Sequence, residues 1–472
     1  MRFPVSLRAG TRLVLAVVVF AGAALGGPAG TALVTNASAA EAGVNLNTLE
    51  PAAIAQASAL GAHWVRVFAV WSDLEPTRGV HDEGWLSQYD RLLGSLPSGT
   101  HVIIDFVGAP SWESGSAAPN APPANPADYA NLLHYIAERW AGHVAAYEIW
   151  NEEDASRWWA GGPDPAAYTR LLQAAYPAVK SADPAAEVVL GGLTGNDYNF
   201  LQGVYQAGGK GYFDAVGVHT DTACNVNSPY VFLRDANGRL DQDSFIGYRE
   251  VHATELANGD QVPIWMTEMS WRTTSATCQE GAWAGLKPEG VTDEQQATYL
   301  SQAYHCLASA PYVQVGLWYP VADVGLVNSG LLRVNHSHKP SYAAMRSYIQ
   351  HGDLLKGACG DFSGPKIQVY DPTRVRYSGI LRIKVRATDS QGIQRIRLLD
   401  DGHLIRNFDP GVHTHIYPHA LVAEMHWFGA RHISIGRHRL TIIAYNKLRS
   451  VSRVYVSIVH LPAAPAHHHH HG

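Results

Sequence analysis

Two stretches, Tyr147-Glu148-Ile149-Trp150-Asn151-Glu152 and Trp265-Met266-Thr267-Glu268, decide how this chain is read. Each is a short, apolar, β-prone run that ends in a carboxylate. Working outward from them, similar runs start near Gly43, Trp64, His101, Ala145, Glu187, Ala215, Val262 and Val313. Helix-patterned stretches separate these runs, among them 84–96, 126–140, 165–180 and 292–309, and such alternation marks a parallel α/β fold. Eight units predict a (β/α)8 TIM barrel over residues 41–362, closed by a last helix through Gln350. Glu152 then ends strand four and Glu268 ends strand seven, both on the C-terminal face where barrels of this kind carry their chemistry. A doubly wound open sheet is the competing architecture, but no Gly-rich phosphate fingerprint follows the first strand.

Beyond the barrel the pattern changes. Residues 366–462 read as short alternating strands, such as 381–386 and 439–444, and Asp401-Gly402 marks a hairpin turn. This predicts a small all-β sandwich over 363–463. The sandwich carries about 15 Lys/Arg against about 6 Asp/Glu, and residues 41–365 about 17 against about 35. A net charge of −6 therefore hides an acidic barrel and a basic appendage. The basic strands admit contact with an anionic cell-wall polymer, or are simply the solvated face of a sheet. Nothing in the chain points to nucleic acid. His413, His415, His419, His426 and His432 lack regular ligand spacing, so no metal site is expected. The His-rich tail, 464–472, is set aside as a purification tag or a disordered tail.

Arg2, Arg8 and Arg12 precede an apolar run, and Ala37-Ser38-Ala39 has a small-x-small cleavage pattern. Residues 1–40 are thus expected to be a signal peptide of an exported, secreted protein. No later segment is apolar enough to span a bilayer. Cys224, Cys278, Cys306 and Cys359 fit an oxidising compartment, and their wide spacing is unlike a zinc site. Four cysteines allow three pairings; Cys224 with Cys278, leaving Cys306 with Cys359, is the expected one.

A pair of carboxylates at strand ends fits the cleavage of glycosidic bonds. One group protonates a poor leaving oxygen while the other attacks or stabilises the cationic sugar carbon. Asn151 supplies a neutral donor beside the acid and Trp150 an apolar wall. This chemistry requires neither metal nor organic cofactor. An arginine near the end of strand two, Arg66, has the charge to depress a nucleophile's pKa. Trp112, Trp158, Trp159, Trp271 and Trp318 gather near strand ends or loops, where indole faces stack on sugars or simply pack.

Over roughly residues 43–350 the chain resembles the clan A retaining glycoside hydrolases, and within them families 39 and 5. The resemblance rests on Trp64-Val65-Arg66-Val67, Trp71-Ser72-Asp73-Leu74-Glu75-Pro76, Gly108-Ala109-Pro110-Ser111-Trp112, 147–152, Val216-Gly217-Val218-His219, 265–268 and Leu317-Trp318. It implies that Glu152 is the acid/base, Glu268 the nucleophile and Asn151 the partner of the sugar 2-hydroxyl. Arg66 would hold the nucleophile ionised, and His219 and Trp318 would grip the reacting sugar, with Trp112 and Trp271 as further substrate contacts. The C-terminal part looks like a bacterial immunoglobulin-like module. Two departures stand out. Glu153 and Asp154 replace the usual proline after the acid/base, which is expected to raise the pKa of Glu152 or favour a cationic substrate. The strand-six histidine lacks the usual tyrosine two residues on, and Tyr230 is the expected substitute. The expected activity is hydrolysis of an oligo- or polysaccharide by double displacement. A transglycosylase with the same residues, or a silent carbohydrate-binding protein, is the alternative.

Overall fold

The computed structural model describes residues 40–462, apart from 221–226, 236, 279–284, 286–287, 326, 356–358, 360–363, 373–375, 390–391, 412–413, 418, 429–433 and 447–450. Residues 1–39 of the expected signal peptide and the tail lie outside these residues, as does Cys224 and with it the expected bond to Cys278. Cys306 and Cys359 are joined by a disulfide.

Eight parallel strands close into a barrel in sequence order: β1 (Glu41–Leu46), β2 (Trp64–Val70), β3 (His101–Val107), β4 (Ala146–Ile149), β5 (Glu187–Leu193), β6 (Ala215–Thr220), β7 (Ile264–Met269) and β8 (Val313–Trp318). β1 pairs with β8 to complete the ring. A helix follows each strand, the longest being Pro165–Ala182 and Asp293–Ala308. Their starts are written in the sequence. Asp164 accepts from the amides of Ala166 and Ala167 ahead of Pro165, and Thr292 with Gln295 forms a reciprocal capping box. Covered on both faces, the strands are apolar almost throughout, as in the Val-Ile-Ile run of β3. Tyrosines tie helices to strand ends: Tyr129 donates to the carbonyl of Phe106 and Tyr168 to that of Ile149.

The barrel floor is an apolar plug that includes Trp64, Ile103, Ala146, Ala215 and Trp265. Strand side chains alternate with a period of two, so a step of two from each plug residue reaches the next inward position. Those positions hold Arg66, Asp105, Glu148, Gly217 and Thr267. The barrel thus changes from apolar to ionic within one step, and the polar layer faces the C-terminal mouth.

The C-terminal region comprises β9 (Lys366–Asp371), β10 (Arg376–Tyr377), β11 (Ile380–Thr388), β12 (Ile393–Asp400), β13 (His403–Phe408), β14 (Thr414–Tyr417), β15 (Ala420–Phe428), β16 (Gly436–Asn446) and β17 (Val451–His460). They form two sheets, in the orders β10-β17-β16-β12-β13 and β14-β15-β11-β9. Pairing is antiparallel apart from β10 with β17. Leu381, Ile383, Val385 and Ala387 alternate into the core from β11. Asp401 and Gly402 join β12 to β13, both at positive φ (46° and 88°), as a two-residue hairpin turn of type I′ requires. Among the described residues no helix is long and apolar enough to cross a membrane.

Candidate active site

Arg66 organises the polar layer. It is the third residue of β2, deeper in the barrel than the strand end at which it was expected. Its side chain is fully buried and donates to three carboxylates: Glu148 at 2.5 Å, Glu268 at 2.6 Å and Asp105 at 2.7 Å. Asn45 and Asn151 accept its remaining bonds at 2.9 and 3.0 Å. Burial alone would lower the Arg66 pKa, but the charges of Glu148, Asp105 and Glu268 outweigh it and keep the guanidinium protonated. Burial pushes Asp105 well up against the pull of Arg66, helped by the nearby Glu148 and Glu268.

Glu268 comes to the mouth through an irregularity. Its neighbour Thr267 already faces inward, and successive strand residues normally point to opposite sides. The registers of β7 with both β6 and β8 shift at this end of the strand, which lets both side chains approach the site.

Glu152 follows β4 in a strained turn, with Trp150 at φ 70° and Glu152 at φ 47°, conformations costly for residues with a side chain. One Glu152 oxygen meets Nδ1 of His219 at 3.1 Å; the other takes Nε and Nη2 of Arg157 at 2.8 and 2.6 Å. The Thr267 hydroxyl spends its one hydrogen on Glu148, so at its 3.1 Å contact with His219 Nε2 it accepts. With Nε2 protonated, Nδ1 of His219 and the Glu152 carboxyl share a single further proton. The histidine has room for this only because residue 192 is glycine: a Cβ there would overlap the imidazole ring.

The environment of Glu152 reverses the expected direction of its pKa. Burial pushes it up, but the hydrogen bond and charge of His219, and then Arg157, outweigh that and hold it below the usual value. Burial would lower His219, yet Glu268 and Glu152 raise it. Glu153, expected to act on Glu152, is fully buried with neither oxygen bonded. Burial, with Asp154 next, drives it well above the usual carboxylate range, so it carries its proton and little charge. Asp154 accepts from the amide of Thr194 and is pushed up to about 7, chiefly by burial.

These residues surround a cavity of about 310 Å³, with Asn151, Glu152, His219 and Glu268 in its wall. Arg66 lies beneath it. The three expected tryptophans are not part of the wall. Trp318 is fully buried, donates to the carbonyl of Ser329 and packs on Trp271, which is itself buried and bonded to the carbonyl of Asn227. Trp112 donates to the carbonyl of Glu75 and lies edge-on to Trp71. Tyr230 packs against His305 rather than the nucleophile candidate. The aromatic wall comes instead from Phe68 and Trp158, stacked within 5° of parallel, and from Tyr319. Burial and then the Glu268 charge push Tyr319 up to about 12. Arg157, Arg272 and Tyr319 were not singled out from sequence, because no periodicity marks loop residues; Phe68 lies one step of two beyond Arg66 on β2, an inward position that strand alternation could have found.

No family model and no curated protein matches the sequence. Solved structures do match in fold. The chain is similar to a family 39 glycoside hydrolase from the gut symbiont Bacteroides cellulosilyticus WH2, at 20% identity and TM-score 0.55, over 82% of this chain and 79% of that one. It is also similar to a family 39 β-xylosidase from Caulobacter crescentus (16% identity, TM-score 0.50, 82% and 95% covered). A GH5_18 protein from Streptomyces cattleya, solved with GlcNAc, matches at 16% identity and TM-score 0.50, over 73% and 84%. The fold therefore resembles that of glycoside hydrolase families 39 and 5, two families of clan A.

Proposed function

We propose that the protein is an exported retaining glycoside hydrolase. The observation that carries the reading is the pair of carboxylates delivered by β4 and β7. One oxygen of Glu152, one of Glu268 and a ring nitrogen of His219 all lie within 4.8 Å of one another. Retaining pairs stand about 5–5.5 Å apart and inverting pairs about 6.5–9.5 Å, leaving room for a water, so the short distance favours retention. Export rests on the N-terminal basic, apolar and small-residue segments.

In this mechanism Glu268, oriented by Arg66, attacks the anomeric carbon. Glu152 delivers the proton it shares with His219 to the leaving oxygen, then takes one from the water that releases the glycosyl-enzyme. Asn151, whose Oδ1 is fixed by Arg66, presents its amide nitrogen toward the sugar. The proton between His219 and Glu152 supplies the acid although the resting carboxyl is held ionised.

Proton NMR of the first-formed product anomer tests retention; release of the opposite anomer refutes it. Replacing Glu268 by Ala should abolish turnover with any leaving group. Replacing Glu152 by Ala should spare the first step for dinitrophenyl glycosides, give a burst, and allow azide to restore turnover as a glycosyl azide of retained configuration. Absence of hydrolysis across a panel of aryl glycosides and polysaccharides would instead favour a silent binding protein.

A further inference from the structure

We propose that Asp400, Asp401 and His438 form a binding site for a divalent transition-metal ion of the zinc class at one end of the C-terminal sandwich. The proposal does not depend on the glycosidase reading.

The site is made by two strands and the turn after one of them. Asp400 ends β12 and stands opposite Leu440 of β16, two residues from His438. By strand alternation Asp400 shares a face with Ile396 and Leu398, and His438 with Leu440 and Ile442. Those four apolar residues belong to the sandwich core, so Asp400 and His438 stand where the core ends. In a continued strand Asp401 would point the other way. Its positive φ of 46° breaks the alternation and brings its carboxylate to the same place.

Nδ1 of His438 lies 3.2 Å from Oδ2 of Asp400 and 3.1 Å from Oδ2 of Asp401. Ligands about 2.0–2.1 Å from a tetrahedral zinc stand about 3.3–3.4 Å apart, so the spacing is already close to that of a bound ion. The ligands are also held from behind, as metal ligands are. His438 Nε2 donates to the carbonyl of Ser434 at 2.9 Å, which leaves the lone pair of Nδ1 for the aspartates' side. Oδ1 of Asp401 accepts from the amide of Arg439 at 2.9 Å and leaves Oδ2 facing His438.

Nδ1 of His438 and Oδ1 of Asp400 are buried and have no hydrogen-bond partner among the described residues. Their side chains are 7% and 11% exposed. A neutral imidazole and two carboxylates thus bring three acceptors together, and acceptors without a donor call for an ion. A proton on Nδ1 is the competing occupant. Burial lowers the His438 pKa, but the Ser434 carbonyl and the charges of Asp400 and Asp401 raise it overall. That proton would point at neither carboxylate well enough for a hydrogen bond, whereas one ion binds all three atoms. Two carboxylates with an imidazole suit zinc, while calcium and magnesium take oxygen ligands. Asp401, 51% exposed, opens the site to solvent, from which the ion enters and a water completes its shell.

The test titrates chelator-treated full-length protein with zinc chloride by calorimetry, beside Asp401→Asn and His438→Gln. The tail histidines, 467–471, are common to all three proteins, so the readout is the difference between them. Wild type should bind one zinc more than His438→Gln. Asp401→Asn should bind that zinc about tenfold or more weakly. Zinc should also raise the urea midpoint of wild type by more than that of His438→Gln, because an ion held only by the folded sandwich stabilises it. Asparagine tolerates the positive φ, so Asp401→Asn keeps the turn, and it decides alone should His438→Gln fail to fold. Equal zinc stoichiometry and affinity in wild type and variants overturns the site and leaves a proton as its occupant. A site filled by calcium chloride but not by zinc overturns the class of ion.

Discussion

Arg66→Met is the substitution with the largest consequence the structure allows to be worked out. The side chain is fully buried and bonded to Glu148, Glu268 and Asp105 at 2.5–2.7 Å, with two asparagines completing its donors. Methionine fills similar volume but leaves three carboxylates facing one another without a cation. Removing one partner of a buried ion pair costs about 3–5 kcal/mol, and the upper half of that range is expected with three carboxylates stranded. The loss has a limit, because a stranded carboxyl can take up a proton. Asp105 already leans that way, through burial opposed by Arg66. Its folded pKa is raised above the value of about 4 in the unfolded chain. The stability linked to that proton is complete below pH 4 and is lost as pH rises through the folded pKa. Removing Arg66 raises the folded pKa further, so the deficit of the variant should be largest near pH 8 and shrink toward pH 5. Urea unfolding followed by tryptophan fluorescence at both pH values, with Arg66→Lys alongside, reads this directly. The lysine keeps the charge and loses the fork, so it should fall between the two. An Arg66→Met deficit under about 1 kcal/mol at pH 8, or one that grows at pH 5, would refute the electrostatic account.

Three further outcomes are expected. Gly192→Ala places a Cβ in the imidazole of His219, so activity should fall by about 100-fold or more while circular dichroism stays near wild type; retained activity would show that His219 does not need its position. Asp154, pushed up to about 7, holds a proton that the unfolded chain gives up near pH 4. Wild-type stability should therefore decline between pH 5 and 7, and Asp154→Asn should flatten that decline in denaturant midpoints measured across the range. Opening the Cys306–Cys359 bond, which spans 53 residues, with a Cys306→Ala/Cys359→Ala double variant should cost about 4 kcal/mol on chain-entropy grounds; a loss below about 1 kcal/mol in thermal or urea unfolding would show that the unfolded chain gains little freedom.

The barrel was legible in the sequence because its strands are buried on both faces. Five of the expected starts, at Trp64, His101, Glu187, Ala215 and Val313, coincide with strand starts in the structure, and the other three differ by one or two residues. Continuous apolar runs admit few other registers. The helices were equally readable from Pro165 after Asp164 and from Thr292 with Gln295, since capping chemistry is local. The tryptophans were harder. Trp318 and Trp271 sit near strand ends, but whether an indole faces a cavity or supports its wall depends on the loops above it, and Ser329 rather than Trp318 lines the cavity.

Charge was the least legible property of all. The sequence places Glu153 and Asp154 directly after Glu152, and proximity along the chain suggests a repelled, proton-holding acid. In space the positive φ at Glu152 breaks the strand alternation. Glu153 then enters the barrel wall, where burial keeps its proton on, while Asp154 caps the amide of Thr194. The loop returns Arg157, five residues on, to the Glu152 carboxyl. Of the two acids adjacent in sequence, Glu153 therefore contributes little negative charge at the site and Asp154 only part of one near pH 7, while an arginine with no recognisable spacing contributes a full positive one. A buried carboxylate's neighbours in sequence fix its pKa only where the backbone stays regular. Here the strained turn that presents Glu152 to the cavity also exchanges its neighbours, so the acid and the cation that restrains it arise from the same local conformation.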